Sequence, residues 1–241
     1  MIFQLMRLQP DAVALAAWAV RHGVLSPDGD YGYALHALLY TVFGEQAPKP
    51  FRYLGSKQGL LAYTSENPET LRQYASLATP DVARALGLDE LDARPFPTTW
   101  KTGQTFGFEV RIRPVIRAKD GRERDAYLHT ADTLPAADNG SIAQRALVFR
   151  DWLTKQFSVE GAAQIVQARM DAFCLTRVLR KKIAEVDGKR KVRFVNGPDV
   201  IFTGQLQVEH SEAFARLLAR GIGRHRAFGF GMLLLKPAKL C

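Results

Sequence analysis

Cysteine is nearly absent from this 241-residue chain, which holds only Cys174 and Cys241. Two such distant thiols make neither a disulfide framework nor the paired spacing of a thiolate zinc site, and their scarcity fits a reducing, cytoplasmic setting. No uninterrupted apolar run approaches the roughly 18 residues that a membrane-spanning helix needs, so no membrane partner is expected. The first residues, Met1-Ile2-Phe3-Gln4-Leu5-Met6-Arg7-Leu8, lack a basic start, a long apolar stretch and a small-residue cleavage site. They are therefore not expected to form a signal peptide. Also missing are paired catalytic carboxylates, a His-x-x-x-His ligand pair and a Gly-x-Ser-x-Gly nucleophile elbow. No metal site and no cofactor are expected.

What is present is a chain able to bury a core, with 47% hydrophobic residues, and a charge that is unevenly placed. Residues 1–100 carry 8 Lys and Arg against 10 Asp and Glu, whereas residues 101–241 carry 25 against 14. A solvated surface normally mixes its signs, so the one-sided excess in the second half points to a polyanionic partner.

The order of elements is legible from periodicity and punctuation. Residues 1–9 read as a strand stopped by Pro10, and Asp11 caps a helix running to about Arg21. Ser26-Pro27-Asp28-Gly29-Asp30 is a loop, and a second helix runs from about Tyr31 to Phe43. Phe51–Gly55 and Leu60–Thr64 form a hairpin, Asn67 and Pro68 open a further helix, and Phe96–Trp100 reads as a short strand. Phe106–Ile116 alternates as a strand, Ser141–Phe157 is an amphipathic helix, and strand-like stretches follow near Ala172–Leu179, Val192–Val195 and Val200–Val208. Ser211–Leu218 is helical and Phe228–Leu235 forms the last strand. Each half therefore reads β-α-β-β-α-β, the ferredoxin-like order. The expected fold class is α+β, with two tandem ferredoxin-like (RRM-like) domains at 1–102 and 103–241.

Three motifs carry chemistry. The loop Gly221-Ile222-Gly223-Arg224-His225-Arg226-Ala227-Phe228-Gly229-Phe230-Gly231 joins the last helix to the last strand. Its glycines allow close backbone approach to a phosphate, and Arg224 and Arg226 supply donors. A dinucleotide fingerprint would follow a strand and open a helix, the reverse of this order. The stretch Arg177–Arg193 concentrates Arg177, Arg180, Lys181, Lys182, Lys189, Arg190, Lys191 and Arg193 around a turn dipeptide, Asp187-Gly188. Such a basic ribbon suits a nucleic-acid groove or its phosphates. On the second helix, at about 100° per residue, Leu35, Leu38, Leu39 and Val42 form the buried stripe. Tyr33, His36 and Tyr40 share a flank beside it. There a histidine can exchange a proton near neutral pH, and a tyrosine can orient or stabilise a phosphate oxygen.

Taken in this order, the three motifs resemble the CRISPR repeat-processing endoribonucleases of the CasE type. The closest similarity runs from Phe202-Thr203-Gly204-Gln205-Leu206-Gln207-Val208 through Gly221–Gly231 to Met232-Leu233-Leu234, the family's glycine-rich C-terminal signature. Phe108-Glu109-Val110-Arg111-Ile112-Arg113-Pro114 is similar to its basic strand followed by proline, and Tyr33–His36 to its Tyr-x-x-His. The resemblance implies tandem ferredoxin-like domains and metal-independent cleavage of a CRISPR repeat stem-loop. The 2′-hydroxyl would attack the adjacent phosphorus and leave a 2′,3′-cyclic phosphate. It makes His36 the general acid or base and gives Tyr33 an orienting or stabilising role. RNA would be held by Arg111, Arg113, Gly221, Gly223, Arg224, His225, Arg226 and the Arg177–Arg193 finger, and the protein would stay on its crRNA beside other effector-complex subunits.

Residues 11–30 add a helix and loop before the Tyr-x-x-His, which brings Arg21 and His22 near it in sequence as sharers of the catalytic role. That shift fits a type IV repeat nuclease, in which arginines could replace the histidine, as well as a type I-E one. Two other classes compete: a non-cleaving RNA stem-loop-binding subunit, which would need aromatic rings on open sheet faces, and a DNA binder, which lacks a helix-turn-helix.

Overall fold

The alternation at the start of the chain becomes β1 (Gln4–Leu8), with Met6 and Leu8 fully buried and Arg7 exposed. Pro10 ends it, and the Asp11 carboxylate accepts from the backbone N–H groups of Val13 and Ala14, capping α1 (Ala12–Arg21). The loop that follows leads to α2 (Gly32–Phe43), where the Asp30 carboxylate accepts from the Gly32 N–H at 2.8 Å. Leu35, Leu38 and Leu39 of α2 are buried and Val42 packs against the same core. Each such leucine contributes on the order of 2 kcal/mol. The hairpin of β2 (Phe51–Tyr53) and β3 (Leu60–Thr64) comes next, then α3 (Pro68–Ser76), capped by Asn67.

This computed structural model describes residues 3–117, 121–132, 141–183 and 190–238, leaving aside the side chains of residues 180–183 and 190–193. The chain divides into two units. Met1–Phe96, Thr176–Asn196 and Ala227–Gly229 form the first; Pro97–Leu175, Gly197–Arg226 and Phe230–Cys241 form the second. The division thus falls between Phe96 and Pro97 rather than at 102/103. Two short segments of the expected second domain also belong with the first unit.

The first unit holds an antiparallel sheet in the order β2-β3-β1-β4, with β4 at Asp92–Pro95. Met6 of the central strand β1 lies opposite Ala62 of β3 on one side and Ala93 of β4 on the other. The expected strand at Phe96–Trp100 is displaced to Asp92–Pro95. Pro95 and Pro97 bracket Phe96, and a proline has no N–H to extend the ladder. Before it, α4 (Pro80–Leu86) is an unforeseen helix, although Pro80 in its first turn and a left-handed Gly87 at its end are ordinary boundary residues.

The second unit begins with β5 (Thr105–Ile112), in which Phe108, Val110 and Ile112 are buried. Pro114 ends that strand sooner than expected. A small ribbon of β6 (Val115–Arg117) and β7 (Glu123–Asp125) follows, then a short α5 (Ala126–Ala131). Ser141 caps α6 (Ile142–Phe157). The strand-like stretches near 172–179 and 192–208 are parts of two long strands, β8 (Ala163–Ile183) and β9 (Arg190–Val208). Helix α7 (Ser211–Arg220) precedes β10 (Leu233–Pro237), which starts later than expected because Gly229 and Gly231 take positive φ.

The second sheet runs β10-β5-β9-β8. In each sheet the first strand of the unit is central, flanked by the third and the last, with the second at an edge. That is the ferredoxin-like arrangement, twice. Phe108 packs on Phe157 of α6 at 5.5 Å between ring centroids, and Phe106 stacks on Phe214 of α7 at 6.5 Å, so both helices cover one face of that sheet.

Candidate functional site

Tyr33, His36 and Tyr40 share one flank of α2, as their spacing requires. Tyr33 and His36 meet edge to face with centroids 6.1 Å apart, and His36 lies 6.4 Å from Tyr40. The Tyr40 hydroxyl donates to Glu45 at 2.8 Å, which holds that ring at the exposed end of the row. Phe228 is the fourth ring, from a short turn (Arg226–Phe228) in the glycine-rich loop. It stacks on Tyr33 at 5.8 Å with planes 20° apart and meets His36 at 5.1 Å in a T-shaped contact. Its segment belongs to the same unit as α2.

Half-burial among these rings pushes the His36 pKa below the ordinary imidazole value, and the positive charge of Lys49 lowers it further. His36 is therefore neutral near pH 7, the state that accepts a proton. Periodicity finds Tyr33 and His36, but neither Lys49, six residues past the end of α2, nor Phe228, far along the chain.

Arg21 and His22 have structural partners at the end of α1. Arg21 faces Asp81 at 3.9 Å on the surface. His22 stacks on Trp18 at 4.1 Å, and its Nδ1 lies 2.8 Å from the Trp18 carbonyl oxygen.

The basic finger meets the inserted loop. Arg177 on β8 donates from its backbone N–H and its Nη2 to Asp28, each at 2.7 Å, and the Ser26 hydroxyl donates to the Arg177 carbonyl at 2.7 Å. These hydrogen bonds from Arg177 hold the Asp28 carboxyl below its usual range. Arg177 is thus engaged within its own unit rather than offered as an unengaged cation. Arg180, Lys181 and Lys182 lie on β8, and Arg190, Lys191 and Arg193 on β9, but their side chains fall outside the described set, as does the whole of Lys189.

Two of the strand arginines expected to hold RNA have partners within the fold. Alternation places Arg111 and Arg113 on the outer side of β5, yet Arg113 is only 1% exposed and Arg111 pairs with the buried Asp199. Both guanidinium groups lie over the Phe230 ring, at 4.4 and 5.4 Å. Arg113 falls past the end of β5, where the alternation no longer governs direction. Here both arginines serve packing, and burial removes Arg113 from the surface that RNA could reach.

The glycine-rich loop is largely self-supporting. Gly221 closes α7 through its N–H to the Leu217 carbonyl, and Ile222 and Gly231 are joined by an N–H···O bond of 2.8 Å. At Gly231, with φ of 77°, a methyl group would collide with the Ile222 carbonyl oxygen. Gly223 packs against the Trp152 ring. Arg224 and the nearly buried His225 both donate to Glu123, each at 2.6 Å, and Arg226 donates to the Arg220 carbonyl at 2.6 Å.

The hydrogen bond from His225 and the charges of His225 and Arg224 outweigh the cost of burying Glu123 and depress its pKa to about 2. A depressed carboxylate stabilises the fold above its ordinary value and loses that contribution as pH falls toward the folded one. Glu123→Gln is therefore expected to cost about 2 kcal/mol at pH 7, a Tm drop of roughly 4–8 °C. Between about pH 4.5 and about pH 2 the variant should lose less stability than the parent. Parallel thermal melts across that range check both, and equal acid sensitivity in the two proteins would contradict the assignment.

Two ferredoxin-like units, one bearing a desolvated histidine among aromatic rings, define a tandem ferredoxin-like protein with a histidine-centred site. The chain belongs to the CRISPR associated protein family, whose model matches residues 4–237. It is 24% identical over 148 residues to the CRISPR-associated endoribonuclease Cse3 of Thermus thermophilus, a match covering 60% of this chain and 61% of that protein. The match thus spans about three fifths of the relative's length. Its fold is that of the CRISPR endoribonuclease Cse3 solved bound to a 19-nt RNA, with a TM-score of 0.66, 18% identity, and 98% of this chain and 100% of that one covered. Thermus thermophilus Cse3 bound to an RNA representing a pre-cleavage complex gives 0.62 at 18% identity, covering 98% and 100%. A chain of a CRISPR RNA-guided surveillance complex in a pre-nicking state gives 0.54 at 15% identity, covering 97% and 99%.

Proposed function

We propose that this protein is an endoribonuclease that cleaves CRISPR precursor RNA at its repeat stem-loops and remains on the mature crRNA as a subunit of an effector complex. The observation that carries this reading is the His36 site, a neutral, half-buried imidazole beside a tyrosine, in a chain whose relatives are named endoribonucleases. In this reading His36 takes the proton from the ribose 2′-hydroxyl or gives one to the leaving 5′-oxygen. Its lowered pKa favours the first. Tyr33 orients or stabilises the phosphate. The nucleophile lies in the substrate, so no metal is needed to generate one, and the products are a 2′,3′-cyclic phosphate and a 5′-hydroxyl. The basic second half supplies phosphate contacts, and similarity to Cse3 supports the type I-E kind over type IV. Among the described residues no helix is long and apolar enough to cross a membrane.

The competing reading, an RNA-binding subunit without cleavage, calls for aromatic rings on an open sheet face. In the second unit, the face turned away from α6 and α7 carries Gln167, Arg169, Asp171, Thr203 and Lys236 around a trough of about 500 Å³. Phe106 and Phe108 point to the helices instead. The test is a labelled repeat RNA incubated with the protein and resolved by gel, with the product ends analysed. Cleavage to a cyclic phosphate at an unchanged rate in excess EDTA is expected. Binding without cleavage would favour the other reading, and a rate abolished by EDTA would refute the metal-independent mechanism.

A further inference from the structure

Phe228 lies 192 positions after His36, outside the last strand where periodicity would put it, yet it touches both residues of the candidate site. Its ring lies nearly parallel to Tyr33 and meets His36 almost at a right angle (88°). One more feature of the first unit is built around this contact. The Phe228 carbonyl oxygen comes so close to Gly32 that a β-carbon at that position would overlap it. Gly32 opens α2 in ordinary backbone geometry, and its N–H donates to the Asp30 carboxylate at 2.8 Å. Its small size there serves close approach rather than an unusual turn. The first turn of α2 is thereby pinned to the Phe228 segment, one residue before Tyr33 and one helical turn before His36.

We infer that Phe228 is a positioning residue for the Tyr33–His36 pair, fixing the imidazole's orientation and shutting water from one side of it, and that Gly32 is the residue that admits it. The inference rests on the proposed role of His36. Stacking removes Tyr33's freedom to swing about χ1, and the edge contact limits rotation of the His36 ring. Both matter, because misplacing a catalytic group by about 1 Å can cost roughly a hundredfold in rate. The burial that lowers the His36 pKa is consistent with this packing. Lys49 contributes charge from the segment after α2, Tyr33 and Tyr40 flank His36 on its own helix, and Glu45 holds the Tyr40 hydroxyl. Across the ring stands Phe228, which does not titrate.

The test uses the full chain with Phe228→Ala, Phe228→Leu and Phe228→Tyr. Single-turnover cleavage of a bound repeat RNA, the Kd for that RNA, and the His36 imidazole titration by NMR in the RNA-free protein are measured for each. Phe228→Ala is expected to slow cleavage roughly 10- to 100-fold, to leave Kd within about twofold, and to raise the His36 titration midpoint toward the ordinary value. Phe228→Leu, which keeps apolar bulk and guards against loss of folding, should move rate and midpoint in the same directions by less. Phe228→Tyr, which keeps the ring, should restore both. A parent-like rate and midpoint in the Ala and Leu variants would overturn the inference. So would a slowed rate with an unmoved midpoint, since Phe228 would then act on the RNA rather than through His36. If His36 itself proves dispensable for cleavage, the proposed function fails separately, and the titration in RNA-free protein still judges the contact.

Discussion

Replacing His36 by alanine should reduce single-turnover cleavage of a repeat stem-loop by roughly 10²- to 10⁴-fold, the range that general acid–base groups supply. RNA affinity should stay within about twofold of the parent, because affinity for RNA comes mainly from phosphate contacts and a neutral imidazole contributes no full charge to them. The salt dependence of binding should be unchanged for the same reason. The pH dependence separates the two proton-transfer roles. Burial and Lys49 lower the His36 pKa from its ordinary 6.5, so the neutral form persists to more acidic pH than in an exposed histidine. As a base, His36 gives a rate that is flat near neutrality and falls with acid, with its midpoint below 6.5. As an acid, it gives a rate that already declines with rising pH across neutrality, with a midpoint in the same lowered range. The measurements are rate against pH for the parent and residual rate for the variant, with a thermal melt to show that the variant is folded. A variant that cleaves at the parental rate would remove His36 from the mechanism.

Local pattern made one half of the site legible and long-range packing hid the other. Tyr33, His36 and Tyr40 recur at three and four residues, so helical geometry alone places them on one flank, and the leucine stripe says which flank is buried. The same logic brings out the Asp11 and Asn67 caps and both β-α-β-β-α-β orders. Phe228 escaped because nothing near it in sequence marks its partner; the apolar residues from Phe228 to Leu235 read as strand until the positive-φ glycines break them.

Charge misleads in a more instructive way. A basic run shows where cations are, but not which of them already have a carboxylate. Arg177 finds Asp28 across 149 positions, and Arg111 finds Asp199 across 88. Arg224 is held by Glu123, 101 positions away. Three of the arginines assigned to RNA are therefore paired within the fold, and Arg113 is buried. An RNA phosphate could recruit Arg224 only by competing with a carboxylate whose pKa has been driven to about 2. The excess of positive charge in the second half still defines the partner's sign; it overstates how many of these side chains are available.

A repeat RNA carrying a single 2′-deoxyribose just before the scissile phosphate should not be cleaved at all, while binding as tightly as the all-ribose RNA. The substitution removes the proposed nucleophile and leaves every phosphate charge in place. Affinity, which depends on those charges, has no reason to change. The loss should therefore exceed that of His36→Ala: a missing proton acceptor slows the attack, whereas a missing oxygen leaves nothing to attack with. The two effects should also fail to combine, since His36→Ala has no further rate to remove on the deoxy substrate. A stable complex of parent protein with uncut deoxy RNA on a native gel, beside full cleavage of the ribose control, is the expected result. Cleavage of the deoxy RNA at a comparable rate would mean that water attacks the phosphorus. His36 would then have to activate a solvent molecule, and the product would carry an open phosphate rather than a cyclic one.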